Sequence, residues 1–443
     1  MKLNIPNFTL ISFSFLPIAL ISGPFLSDLI VVIIGSYSLF IIINNKLNIF
    51  NNRFFWIFFS FYFILIISSL LSHNILLSFE SSLFYFRYFF FVLGIFFLLN
   101  YQYNLIRLFY YILVFSFILL LVDSTLIFFT KIGISNYIFN YESNSRISSF
   151  FLDENVLGSY LVRLLPIYLY LSVIIKFDYK YEKIIKIIIF LLVIINIIMS
   201  GERTAIFMLF LLLFTLLFFF KLKKNSLLTK LSLSFLVFVL IFSTVFINPE
   251  LKNRLVYKTI SQFGFENFRY NNEIKGNIDN DDNNKKQIYI FSFEHQSYYN
   301  NAFKLFKDNF IIGIGPKLFR EKCKVFIDNT DLVGWYYYNC STHPHNFYLQ
   351  LLAETGVIGF LYLFLSLLYF LYILTKIQLS KDKRIFESKE NLGVILIAGI
   401  LINIFPFMPT GSFFNNWLNI FLWLPISFYI YNFKSLNLIY EKK

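Results

Sequence analysis

The chain is built from apolar stretches of the length that an α-helix needs to cross the hydrocarbon core of a bilayer, roughly 20 residues. Twelve lie near 8–26, 28–43, 54–72, 82–99, 105–129, 156–175, 184–200, 203–220, 231–247, 345–374, 391–408 and 414–432. Of the 443 residues, 58% are hydrophobic and only 14% charged. A soluble domain carries roughly a quarter charged residues, and much of its surface faces water. This composition therefore excludes a cytosolic enzyme, a nucleic-acid binder and a secreted domain. The expected fold class is an all-α polytopic integral membrane protein with about 12 transmembrane helices. The start of the chain has the apolar look of a signal peptide but no small-residue cleavage site, so it reads as the first span.

The formal charge of +13 is distributed by position. With the N-terminus cytoplasmic, the short loops on that side hold Lys46 and Arg53, Arg107, Lys176 to Lys186, Lys221 to Lys230, and Lys376 to Lys389. The opposite short loops, 73–81 and 409–413, hold no Lys or Arg. This is the pattern of the positive-inside rule, with both termini cytoplasmic. The expected organisation is an N-terminal bundle over 1–247, a long periplasmic loop over 248–342, and C-terminal spans over 343–443. Asn271 to Lys286 has almost no apolar residue and is expected to be disordered.

Ionisable groups within spans are costly and are functional candidates by default. Arg163, Arg203, Arg87 and Asp123 stand out. Arg87 and Asp123 suit a structural ion pair. Arg203, at the outer start of a span, is placed where a lipid phosphate lies, and a guanidinium offers phosphate two parallel donors. From Ser341 to Gly356 the chain reads STHPHNFYLQLLAETG. His343 and His345 fall within three positions, and Asn346, Gln350 and Glu354 then share one helical face. Such a polar stripe entering a membrane must find partners. A zinc site lacks further ligands near His343 and His345. Cys323 and Cys340 suit a disulfide in an oxidising compartment, with two free thiols the alternative. No phosphate-binding nucleotide loop is present.

In order, the chain offers Ser200-Gly201-Glu202-Arg203-Thr204, a long loop, Gly313-Ile314-Gly315-Pro316, and then the run from His343 to Gly356. This order resembles the O-antigen ligase and O-antigen polymerase superfamily, most specifically over 200–206 and 295–360. Arg146 to Pro166 is also similar. The resemblance implies transfer of a glycan from undecaprenyl diphosphate, at the periplasmic face of a bacterial inner membrane, to the lipid A core or a growing glycan. It implies no nucleotide or metal cofactor. His345 would be the catalytic histidine, with His343 the runner-up, and Arg203 would contact the diphosphate. A second arginine is expected well before the histidine, where this chain has Glu294-His295-Gln296; Arg320 takes its place. Arg163, Asn346, Gln350 and Glu354 join the substrate-binding candidates. Ligase and polymerase share these motifs, and a protein glycosyltransferase is a third branch. A transporter or flippase of lipid-linked sugars is the rival class, and an inert scaffold another. A transporter would want broken helices near the midplane and repeat symmetry, which the sequence does not display.

Overall fold

The computed structural model describes residues 7–101, 103–140, 146–177, 180–221, 239, 242–257, 259–260, 293–326, 340–379 and 388–433. Among these residues the secondary structure is helical, with no strand. The helices are α1 (Asn7–Ser14), α2 (Leu16–Ile21), α3 (Pro24–Asn44), α4 (Arg53–Leu70), α5 (Ile75–Ser82), α6 (Arg87–Tyr101), α7 (Tyr103–Thr130) and α8 (Ile134–Phe139). They continue as α9 (Leu157–Ile174), α10 (Glu182–Met199), α11 (Arg203–Phe219), α12 (Pro249–Lys252), α13 (Phe293–Asp308) and α14 (Phe319–Lys322). The last are α15 (Phe347–Leu379), α16 (Lys389–Ile404) and α17 (Asn416–Phe433). Among the described residues, six helical stretches are long and apolar enough to cross a bilayer: Pro24–Asn44, Arg53–Leu70, Ile75–Asn100, Asn104–Thr130, Leu157–Ile174 and Phe347–Leu379. The protein is thus a helical membrane protein.

The first expected span is divided. Pro17 stands in the opening turn of α2 and Pro24 in that of α3, positions where a missing N–H removes no helical bond. The expected span at 231–247 and the segment 271–286 lie largely or wholly outside the described residues.

The centre of the bundle is α16, in which every residue from Asn391 to Ile404 is buried. A helix apolar on all faces belongs inside, surrounded by others. α9 and α17 flank it, each with a proline in its interior. A Cβ on Gly399 would lie 2.8 Å from Pro166 and 3.5 Å from Pro425, so the bare glycine lets both kinked helices approach. Phenylalanines fill the remaining seams. Phe58 meets Trp423 at 5.1 Å between ring centres, and Phe61 stacks on Tyr362 at 4.3 Å. These contacts join α4 to α17 and to α15.

The expected Arg87–Asp123 pair is corrected. Arg87 reaches Asp28 on the neighbouring α3 at 3.1 Å and also donates to Asn416 at 2.6 Å. Asp123 sits near the end of α7, under the turn that follows. It accepts from the Ser135 N–H at 2.9 Å and from the Ser135 and Ser149 hydroxyls at 2.8 and 2.5 Å. Charge alone does not choose partners among helices; adjacency does.

α15 is broken at Gly356, whose φ is 65° and ψ −166°. A break inside a bilayer frees backbone groups that must be satisfied by protein. The segment 310–315 supplies the partners. Ile314 N donates to Ala353 O at 3.0 Å, Gly315 N to Glu354 O at 2.9 Å, and Val357 N to Phe310 O at 2.9 Å. The Ser68 hydroxyl, 2.9 Å from both Ile312 O and Glu354 O, binds the same joint from α4. A Cβ at Gly356 would lie 2.2 Å from Ile311 O. Gly356→Ala therefore combines left-handed strain with a backbone clash and should cost about 2 kcal/mol or more. Thermal unfolding in detergent should show a lowered Tm. Gly35→Ala, whose new Cβ meets nothing nearer than 3.5 Å, should leave Tm unchanged; equal effects would show that the joint tolerates a side chain.

Candidate active site

One cavity of about 1180 Å³ opens where the N-terminal ends of α9 and α11 meet the residue pair before α15. Arg146, Arg163, Arg203 and Arg254 line it, together with His295 and His345. Leu20, Ile21, Phe207, Met208, Phe407, Met408 and Leu418 form an apolar wall. Helix N-termini carry partial positive charge, so the ends of α9 and α11 reinforce the arginines. A cavity with this lining suits an amphiphile with a polyanionic head.

Arg203, Arg254 and Arg163 come from different parts of the chain. Arg203 is the first residue of α11, and its Nη2 donates to Arg254 O at 2.9 Å, tying the 248–257 segment to the turn before α11. Arg254 lies in the helical turn after α12. Burial, then the charges of Arg146 and Arg203, lower its pKa to about 10, so it remains a cation at neutral pH. Arg163 is 3% exposed and lies between one and two turns into α9. It donates to Asn403 Oδ1. Asn403 is oriented by its own donation to Gly399 O at 2.7 Å.

Glu202 offsets part of this positive charge. Its carboxylate accepts from Gly158 N at 2.7 Å, and from Ser159 N and Oγ at 3.1 and 2.9 Å. It thereby caps α9 from another part of the chain. Burial raises its pKa against those bonds. The cap locks the Ser200–Thr204 turn onto α9 and so fixes where Arg203 stands.

His345 adopts φ 56°, an uncommon conformation for a residue other than glycine. Thr410 N donates to its carbonyl at 2.8 Å. Its ring lies 4.1 Å from that of His343 and 5.3 Å from that of His295 between centres. His343 is not among the lining residues. Burial is the main cause that lowers His343 to about 3 and His345 to about 4. Neighbouring imidazoles add to it, and the Thr410 backbone opposes it. Both rings are neutral at pH 7.

The other candidates are placed elsewhere. Asn346 caps α15, accepting from Tyr348 N at 3.0 Å and Leu349 N at 3.1 Å, and donates to Pro406 O at 2.6 Å. Gln350 donates to Ser412 Oγ at 3.0 Å and accepts from Phe413 N at 2.7 Å. Glu354 accepts from Gln350 at 2.9 Å and from Phe319 N at 3.1 Å. None of the three lines the cavity; they bind the 406–413 loop and α14 to α15. Arg320, on α14, is also outside the lining. Cys323 and Cys340 are joined, with Cα atoms 5.3 Å apart. Arg146, Arg254, Glu202 and His295 are among the lining groups that site reasoning from sequence did not select, as are the carboxylates Glu154 and Glu250. For Glu202 and His295 a signal existed, in the Ser-Gly-Glu-Arg-Thr turn and in the position of the missing arginine. Among the described residues no cluster of three or more His, Cys, Asp or Glu could hold a metal ion.

Fold and cavity together define a helical membrane protein with an arginine-rich, histidine-edged site at one end of its bundle. Residues 188–364 match the family model described as O-antigen ligase. The match supports membership of the O-antigen ligase and polymerase superfamily, and with it a glycan-transferring enzyme at family level. A search of curated proteins found no match to the chain. The matched region contains Arg203, Arg254, His295, His343 and His345; Arg146 and Arg163 come from outside it.

The histidine environment predicts a specific acid response. The unfolded chain binds protons on His343 and His345 near the reference value of about 6.5, while the folded chain does so only near 3 and 4. Their contribution to stability is therefore complete above about pH 6.5 and is lost as pH falls toward 4. Histidine carbon spectra in micelles, assigned with His343→Gln and His345→Gln, should show both rings still neutral at about pH 5. Half-protonation near pH 6.5 would contradict the buried placement.

Proposed function

We propose that this protein transfers a glycan from undecaprenyl diphosphate to an acceptor at the periplasmic face of a bacterial inner membrane, and that the acceptor is the lipid A core. The observation that carries this reading is the meeting of four arginines and a neutral histidine in one cavity with an apolar wall. Arg203, Arg254 and Arg146 neutralise the diphosphate, and Arg163 serves its inner end. In a poorly screened site such preorganised charge is the largest contribution to catalysis. His345 takes the proton of the acceptor hydroxyl. The acceptor oxygen bonds to the anomeric carbon, whose bond to the phosphate oxygen breaks, and the lipid diphosphate leaves with the electron pair. The apolar wall receives the first part of the polyprenyl chain. Neither nucleotide nor metal takes part.

The orientation has its own support. The connections at 73–81, 200–203 and 405–415 and the described stretches 146–156, 293–326 and 340–346, which the charge pattern assigns to one side, meet at the cavity end. Lys317 pairs with Glu80, and Glu321 with His73 at 3.1 Å, across two of them. The organisation into 1–247, 248–342 and 343–443 belongs to this reading. Arg254 takes the second-arginine role, and Arg320 supports the disulfide-closed segment. Asn346, Gln350 and Glu354 act on the substrate through the loop they hold.

A knockout strain complemented with wild type or His345→Ala tests the proposal. Core-only lipopolysaccharide with long glycan retained on the lipid carrier is the expected result for the variant. Core bearing a single repeat would instead mean polymerase, and unchanged lipopolysaccharide would remove the lipid A core as acceptor. Arg254→Ala should lower kcat/KM in proteoliposomes by about 100-fold, with Arg320→Ala clearly milder. The reverse order would return the second-arginine role to Arg320.

A further inference from the structure

Ser341 directly follows Cys340, whose bond to Cys323 anchors the chain at that point. Its hydroxyl oxygen lies 2.8 Å from His343 O and 3.2 Å from His345 Nε2. A hydroxyl has one proton, and a carbonyl oxygen only accepts. The shorter contact therefore takes the proton, and Ser341 Oγ presents a lone pair to His345. The facing nitrogen must supply the hydrogen.

We propose that Ser341 is a positioning residue that holds His345 in the tautomer protonated at Nε2, which makes Nδ1 the nitrogen that receives the acceptor's proton. This rests on the proposed function and deepens it. A neutral imidazole has one protonated nitrogen, and the hydrogen bond on that side decides which. Here the deciding group is a serine four residues earlier, itself fixed by the backbone it donates to. The ring has little freedom to turn over, lying between those of His343 and His295. In the step, the acceptor O–H bond breaks and an Nδ1–H bond forms. The acceptor oxygen bonds to the anomeric carbon, and the departing diphosphate keeps the electrons of the broken C–O bond. Nε2–H stays on Ser341 throughout.

The test uses the full-length protein in proteoliposomes with undecaprenyl-diphosphate-linked glycan as donor and lipid A core as acceptor. Ser341→Ala should lower kcat by about 10- to 100-fold, the scale seen when a metal-bound histidine loses the group that orients its other nitrogen. KM for the donor should not change, and Ser341→Thr, which keeps the hydroxyl, should recover most of the rate. Carbon and nitrogen spectra of labelled histidine in the wild-type protein give a readout that needs no variant to fold: His345 should carry its proton on Nε2. A wild-type His345 protonated on Nδ1, or a Ser341→Ala enzyme with unchanged kcat, overturns the proposal. His345→Ala separates the two ideas. If it is inactive while Ser341→Ala is fully active, only the role of Ser341 fails; if it retains full activity, the base itself is wrong.

Discussion

A polar side chain buried in a bilayer must find a partner or give up several kcal/mol, and α15 begins with three in succession. Asn346, Gln350 and Glu354 are 4%, 1% and 0% exposed, and each is satisfied by backbone or side chain from another segment. Through them the first turns of α15 grip the 406–413 loop and the start of α14. The histidine pair stands at the head of the same helix. The demand for satisfied hydrogen bonds thus does the work of fixing the site: wherever α15 goes, the loop and the histidines go too. The break at Gly356 follows the same rule, with the 310–315 backbone serving as partner.

Opposite ends of the bundle carry different chemistry. Away from the cavity, Lys186 donates to Ser172 O at 2.8 Å and to Ile175 O at 2.5 Å and pairs with Glu182, so a basic residue is consumed in closing helix ends. At the cavity end Arg203 donates to a backbone carbonyl and Arg163 to an amide oxygen, so there the recorded partners position guanidinium groups around a cavity instead of closing a helix end.

The sequence makes the helices legible because an apolar run of bilayer length has few other uses. It makes Arg203 and His345 legible because each sits in a motif whose order is specific. Other features have no such signal. Arg254 is one basic residue in a long, mostly polar segment, without spacing or periodicity to mark it. Arg87 and Asp123 are two opposite charges in neighbouring spans, yet the contact that matters is with Asp28, two spans earlier in the chain. Hydropathy also passes over the division between α1 and α2, since a proline in a helix's first turn does not lower a window average. The polar stripe of α15 is visible as a stripe. Whether it faces a ligand or a loop depends on a tertiary contact about 60 residues downstream.

That separation along the chain has a consequence for biogenesis. The carbonyls held by Asn346, and the Thr410 N–H that fixes the His345 backbone, belong to the connection between α16 and α17. During synthesis they emerge after every arginine and histidine of the cavity. A nascent chain can hold all its charged groups in the membrane and still have no ordered site, because the piece that sets the histidine arrives with the final hairpin. Insertion of α16 and α17 is therefore the step that turns the bundle into a molecule with an ordered pocket.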